Sequence, residues 1–329
     1  MKLLWNKNYV RIIPLLVIFT VVVFSFFITL TKTTKLNFLY EDVKGLKVVE
    51  LDSQSYPFNK SSKISLEDVF FTIKTSRMTE QRMDLLLQTW LPRAMETTSI
   101  ISDRSSLALK IRTNHKVRNT ECGGGHTPDG LVCKMAAEFD AYLEKLTAWW
   151  CHFDDDMYVN TDVMLQVLEE FDADKDDVYI GRQSLADPIT VGYKGKTSPF
   201  RFAHGGCGFC VSRKLAMKMK AFVADKSFEK LNNELSYKIN DDCLIGFVVT
   251  HILQVNLVQS NLFNSHYHYK ELENLSLEDL PKQVSLSYSK NSRVKINDEI
   301  KSTFFDVEED PSRFYTVHCM LHPTTEFCH

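Results

Sequence analysis

An α/β fold with a largely parallel sheet flanked by helices is predicted by three observations. From Leu66 onward, short apolar runs alternate with segments of helical periodicity, and that alternation builds a sheet covered on both faces. The apolar runs are of the short, buried-strand type. Two of them end in acids, Asp103 and the triplet Asp154-Asp155-Asp156, and ligands bind at the carboxyl ends of strands in such sheets.

The elements follow in order. Asp68–Thr75 reads as a strand. Thr79–Met95 reads as one helix, with Met83, Leu86, Leu87, Trp90 and Leu91 on a single face. Thr98–Asp103 is a second strand, and Gly130–Leu146 a helix with Met135, Phe139, Tyr142, Leu143 and Leu146 at helical spacing. The aromatic run from Trp149 enters the triple Asp as a third strand. Asn160 or Thr161 caps a helix to Phe171. Asp177–Gly181 is a further strand, and Arg213–Phe222 a helix after a glycine-rich turn. Asp241 and Asp242 lie at the start of the apolar stretch Leu244–Leu253, with Asp241 as its cap.

The N-terminal part has a different character. Residues 12–31 hold no charge, and about 20 apolar residues suffice to cross a bilayer. Lys2, Lys7 and Arg11 precede the run and favour a cytoplasmic N-terminus. No small-residue cleavage site of a signal peptide accompanies it. The expected layout is a tail at 1–11, a transmembrane signal-anchor at 12–31, a polar stem at 32–65 and a lumenal catalytic domain at 66–329, a single-pass type II membrane protein. The eight cysteines all fall in the lumenal part, as suits an oxidising compartment. Asn59 and Asn274 head glycosylation sequons. A formal net charge of -3 over 329 residues leaves no polybasic footprint, which argues against a nucleic-acid partner.

The chemistry concentrates in four places. Three adjacent carboxylates are costly unless a cation shares their site. Hard oxygen ligands suit Mg²⁺ or Mn²⁺ carrying a diphosphate, which points to an enzyme that handles a nucleotide-sugar. On an extended backbone Asp154 and Asp156 face one way and Asp155 the other. The stretch His204-Gly205-Gly206-Cys207-Gly208 lets backbone approach a ligand, or is simply a tight turn before a helix. Asp241-Asp242 is either a capping pair or supplies an ionised general base. His266 and His268, two residues apart, point to one side of a strand, where either can complete a metal site. Zinc is disfavoured, because Cys207–Cys210 has no second arm.

Together these pieces resemble the fringe family of β-1,3-N-acetylglucosaminyltransferases. The matching segments are Lys74-Thr75-Ser76-Arg77, Arg82 to Trp90, His152 to Asn160, Val178 to Gly181, Ser184-Leu185, Gly208-Phe209-Cys210, Asp241-Asp242-Cys243, Phe263 to His266, Ser285 to Tyr288, Asp310 to Phe314, Val317-His318-Cys319 and Phe327-Cys328. The resemblance runs from about Val69 to Cys328. The resemblance implies a GT-A-type glycosyltransferase fold, a Rossmann-like mixed sheet flanked by helices, in the Golgi lumen. It implies an inverting O-fucosylpeptide 3-β-N-acetylglucosaminyltransferase that moves GlcNAc from UDP-GlcNAc to O-linked fucose on EGF-like repeats of Notch-type receptors. By the same resemblance Asp156 and His266 bind Mn²⁺, Asp155 and Arg82 contact the donor substrate, Asp103 lies at the nucleotide, and Asp242 is the base. The implied disulfides are Cys122–Cys133, Cys151–Cys210 and Cys319–Cys328.

The chain departs from the family pattern at Met157, Arg201, His204 and Cys207 and in the loop Gly123–Gly130. Cys207 and Cys243 remain, either as a fourth disulfide or as two buried thiols; the bridge is the expectation. Competing functions are a sibling β-1,3-glycosyltransferase with another donor or acceptor, a lumenal phosphohydrolase, and an inactive type II glycan-binding protein.

Overall fold

The computed structural model describes residues 49–51, 63–268, 276, 278–288, 305–306 and 308–328. The expected tail, the span at 12–31, most of the stem, and both Asn59 and Asn274 lie outside them. Among the described residues no helix is long and apolar enough to cross a membrane.

Twelve strands are described: β1 (Val49–Leu51), β2 (Val69–Lys74), β3 (Thr98–Ser102), β4 (Val117–Asn119), β5 (Trp149–Asp154), β6 (Met157–Val159), β7 (Tyr179–Gly181), β8 (Ile189–Tyr193), β9 (Lys196–Phe200), β10 (Phe209–Ser212), β11 (Leu257–Ser260) and β12 (Ser285–Ser287). Eight form one sheet in the order β1-β11-β7-β10-β5-β2-β3-β4. Only β10 runs antiparallel to its neighbours in that sheet. The other pairs are parallel, so their carboxyl ends share one edge. β1 falls inside the expected stem and is a strand there, paired with β11.

The helices are α1 (Met83–Gln88), α2 (Leu91–Ala94), α3 (Leu107–Arg112), α4 (Pro128–Lys145), α5 (Thr161–Leu168), α6 (Arg213–Val223), α7 (Ser227–Glu234), α8 (Asp241–Gly246) and α9 (Phe314–Leu321). Two buried apolar clusters pack on the sheet. One gathers Val69, Phe71, Ile73, Trp149, Cys151 and Phe153 with α1, α2, α5 and α9. The other gathers Phe70, Trp150, Phe209 and Val211 with α4, α6, α7 and α8. Consecutive strand residues divide between the two clusters, as period-two side chains require.

Local chemistry sets the helix ends. Thr127 accepts a bond from the Gly130 amide at the start of α4 and Pro128 takes its first position, where no amide donor is needed. Leu146 closes α4 in the left-handed region at φ 52°. Inside, Phe139 meets the Trp150 ring edge-on at 5.1 Å, within the range where such pairs add to burial.

Three expectations are corrected. The single helix at Thr79–Met95 is broken: a 3-10 turn at Glu80–Arg82 leads to α1, Thr89 leaves the helical region at φ -117°, ψ -107°, and α2 begins again with Pro92 in its first turn. A proline without an N–H fits there and not in a helix interior. The helix after Asp241 is α8 followed by a π turn at Phe247–Ile252. Asp155 and Asp156 form a two-residue turn between β5 and β6 rather than extended strand, so the strict alternation of three carboxylates does not hold.

Cys122–Cys133, Cys151–Cys210 and Cys319–Cys328 are disulfide-bonded. Cys151–Cys210 joins directly opposed residues of β5 and β10 across a sequence separation of 59. Closing a loop of that size removes roughly 4 kcal/mol of unfolded-state entropy.

Gly208 sits at φ 77° where the chain enters β10, and a Cβ there would lie 2.3 Å from the Phe153 ring. Phe153 is fully buried between Phe71 and Trp90 and cannot retreat. Gly208→Ala is therefore expected to cost about 2–4 kcal/mol through strain and overpacking. Thermal melting is the check, and an unchanged melting temperature contradicts the packing described.

Candidate functional site

A cavity of about 680 Å³ opens at the carboxyl edge of the sheet. Its position follows from the strand register. β2 and β5 run parallel and finish side by side, Lys74 paired with Asp154. β10 runs the other way, so the Gly205–Gly208 turn that enters it arrives at the same edge. The first turn of α8 and the 3-10 turn His266–His268 complete the wall.

The triple Asp divides by contact. Asp154 ends β5 and faces Lys74, Nζ to Oδ1 3.3 Å. Burial disfavours its charge most, but Lys74, His152 and His126 together draw the carboxyl down to about 2. Asp155 accepts from Thr75 Oγ1 at 2.7 Å and from Arg82 at 3.2 Å. Burial raises its pKa against those bonds. Asp156 has Arg82 at 3.4 Å. Burial, and then Asp154 and Asp155, push its carboxyl up to about 7. Its backbone is pinned by the Tyr288 amide, 3.1 Å from the Asp156 carbonyl.

Asp242 is the second residue of α8. Its Oδ2 accepts from the Gly205 amide at 3.0 Å and its Oδ1 from the Cys243 amide at 2.8 Å. These bonds orient a carboxylate whose pKa is raised by burial and then by Asp241. Asp241 does not cap α8: Asn240 holds the cap position, and Asp241 Oδ2 lies 2.5 Å from Lys74 Nζ. Burial works against charge on Lys74, yet Asp154, Asp241 and Glu138 hold it well above the usual lysine range.

His266 lines the cavity, with Nδ1 3.5 Å from Ser287 Oγ. Burial, and then His204 and Arg82, lower its pKa, which keeps a nitrogen lone pair available. The two imidazoles do not share a strand face. They lie in a 3-10 turn, and His268 Nδ1 turns instead to Ser265 at 3.1 Å and Cys207 Sγ at 3.7 Å. Asp103, expected at the nucleotide, accepts from the Arg77 amide at 3.0 Å and is not among the residues that line the cavity.

An oxygen and an imidazole nitrogen beside excess buried negative charge fit a divalent cation such as Mn²⁺. Asp156 and His266 are the residues that would hold it. Among the described residues no group of three or more His, Cys, Asp or Glu is spaced to hold a metal ion, so these two would leave most coordination positions to other ligands. Lys134 and His126 also line the cavity and were not singled out from the sequence. Lys134 is 3% exposed and its Nζ donates to the Thr75 carbonyl at 3.2 Å. Of the departures from the family pattern, His204 lines the cavity, whereas Arg201 donates to the Ala186 carbonyl and Met157 is buried in the core.

The Fringe-like family model matches residues 64–325. Among curated proteins, the chain is 40% identical over 273 residues to the β-1,3-N-acetylglucosaminyltransferase lunatic fringe of Danio rerio, covering 80% of this chain and 71% of that protein. It is 37% identical over 300 residues to lunatic fringe of Xenopus laevis, covering 89% and 77%. Radical fringe of Gallus gallus is 39% identical over 281 residues, covering 83% and 74%.

The expected Cys207–Cys243 bridge is absent, and both residues are thiols. Cys207 belongs to the cluster on one face of the sheet, while Cys243 packs against the cluster on the other. Burial, and then the Asp242 carboxylate, push the Cys243 thiol far up, which suppresses thiolate and hence reactivity. Non-reducing peptide mapping after alkylation in denaturant is expected to find three bridged pairs, with both Cys207 and Cys243 alkylated. A bridged Cys207–Cys243 peptide contradicts the structure.

Proposed function

The chain belongs to the Fringe-like family, and we propose that it is an inverting β-1,3-N-acetylglucosaminyltransferase of GT-A type, transferring GlcNAc from UDP-GlcNAc to the 3-hydroxyl of O-linked fucose on EGF-like repeats, as on Notch-type receptors. The observation that carries the reading is that Arg82, Asp155, Asp156, Asp242 and His266 line one cavity. The relatives, all bearing the same transferase name, support the donor sugar and the linkage.

In the proposed reaction Asp242 accepts the proton of the fucose 3-hydroxyl as that oxygen attacks the anomeric carbon of GlcNAc and the bond to UDP breaks. One displacement inverts the configuration and needs no enzyme nucleophile. The Gly205 and Cys243 amides hold the Asp242 carboxylate in place. Its raised pKa makes it a stronger base than a solvated aspartate. Asp155 and Arg82, already joined at 3.2 Å, contact the donor. Asp156 and His266 would hold Mn²⁺, which when bound supplies positive charge for the diphosphate and the departing UDP. Asp103 is kept as a nucleotide contact in this proposal.

The same reading puts the protein in the Golgi membrane as a single-pass type II protein, anchored through residues 12–31 with the catalytic domain in the lumen. The charge-free run after Lys2, Lys7 and Arg11 supports that orientation, and three disulfides suit an oxidising lumen.

The full chain, purified in detergent, is expected to glycosylate an O-fucosylated EGF-like repeat with UDP-GlcNAc in the presence of Mn²⁺ and to fail without a divalent cation. Asp242→Asn is expected to lower transfer about 10²–10⁴-fold while leaving UDP binding nearly intact. Lost UDP binding in a folded Asp242→Asn variant contradicts the base role, transfer of another sugar points to a sibling enzyme, and no transfer with any sugar nucleotide overturns the enzyme reading.

A further inference from the structure

We infer that Lys74 is a positioning residue of the transfer reaction: a buried ammonium that ties the triple-Asp turn to the helix start bearing the base. The inference rests on the transferase reading and deepens it, because neither Lys74, Asp154 nor Asp241 has a part in the chemistry proposed there.

Lys74 is the last residue of β2 and meets both sides of the site. Its Nζ lies 2.5 Å from Asp241 Oδ2 and 3.3 Å from Asp154 Oδ1. Asp241 immediately precedes the base, Asp242. Asp154 immediately precedes Asp155 and Asp156. The Lys74 carbonyl also accepts the Asp155 amide at 3.1 Å. One residue thus grips the acidic turn through its backbone and its side chain, and grips α8 through its side chain.

A second support lies beneath. Glu138 on α4 accepts from Thr72 Oγ1 at 2.6 Å and pairs with His152 Nδ1 at 2.6 Å. The other ring nitrogen, His152 Nε2, lies 3.7 Å from Asp154 Oδ1. Asp154 therefore lies between His152 below and Lys74 beside it, near enough for charge attraction but with no hydrogen bond to its Oδ1 from either. The Lys74, Asp241, His152 and Glu138 side chains are each at most 10% exposed.

The placement of this chain of charges is what matters. A buried ion triad gains little net stability over apolar packing, so stability alone does not account for it. What it does is set a fixed spacing between two segments that are joined by no direct backbone pairing in the sheet. One holds the metal-binding and donor-binding carboxylates; the other holds the base. A displacement of about 1 Å between reacting groups costs on the order of 10²-fold in rate, so a rigid link between the two segments acts on turnover rather than on donor affinity.

The test uses the full chain and four variants, Lys74→Met, Lys74→Arg, Asp241→Asn and the double Lys74→Met/Asp241→Asn, with Asp242→Asn as reference. Melting temperature, UDP affinity, kcat and acceptor KM are measured for each. Lys74→Met and Asp241→Asn are each expected to lower kcat about 10²-fold with UDP affinity little changed. The double variant is expected to be no slower than the worse single one, because both cut the same link. Lys74→Arg, which keeps a cation able to bridge two carboxylates, is expected to recover roughly tenfold or more of the loss. A folded Lys74→Met or Asp241→Asn with wild-type kcat overturns the inference, as do losses that multiply in the double variant. If Lys74→Met fails to fold, Asp241→Asn decides alone, since it leaves the Lys74–Asp154 pair intact. Retained transfer by Asp242→Asn sinks the base assignment and this inference with it; an inactive Asp242→Asn beside a fully active Lys74→Met sinks this inference only.

Discussion

The in-register parallel pairing of β2 with β5 is the constraint on which the site depends. Six residue pairs align, from Val69 with Trp149 to Lys74 with Asp154. Val69, Phe71 and Ile73 are fully buried, and their partners Trp149, Cys151 and Phe153 are buried with them. A slip of one residue would turn every one of these side chains to the opposite face, expelling aromatic bulk from one cluster into the other. The apolar interior thus fixes where β2 and β5 stop, and the first charged residues beyond the core, Lys74 and Asp154, are obliged to meet. The Cys151–Cys210 bond fixes β10 against β5 in the same register and delivers the Gly205–Gly208 turn to the same edge.

Charge then organises the cavity. Asp154, Asp155, Asp156, Asp241 and Asp242 line it against Lys74, Arg82 and Lys134. Negative charge exceeds positive, and the excess appears as raised pKa values on Asp156 and Asp242, with burial as the leading cause of each. In the proposed mechanism a divalent cation at Asp156 would relieve the first. For Asp242 the raised value would serve the proposed base role directly. Asp154 escapes the trend because Lys74 pairs with it.

Much of this was legible in the sequence. The α/β alternation, the central strands, α4 and the three cysteine pairs were readable because they rest on local periodicity or on a resemblance carried by many short segments. What escaped reading depends on tertiary placement. Lys134 and Glu138 lie four apart on α4, and in isolation look like a solvated flank; both are buried because α4 lies against the sheet and the cavity wall. Lys74 looks like the polar end of an apolar run, and nothing local announces two carboxylate partners from distant segments. The turn at Asp155-Asp156 was hidden because its partner strand, β12, lies far along the chain. Lys194-Gly195, both at positive φ, forms the two-residue loop of the hairpin of β8 and β9.

The central claim is a single displacement in which Asp242 removes the acceptor proton and no covalent sugar–enzyme intermediate forms. The stereochemistry of the product tests it most directly. UDP-GlcNAc carries its sugar in the α configuration, so transfer onto an O-fucosylated EGF-like repeat, followed by nuclear magnetic resonance of the released disaccharide, is predicted to show a β anomeric linkage to the 3-hydroxyl of fucose. An α linkage would mean retention, and with it a mechanism that the Asp242 geometry does not provide.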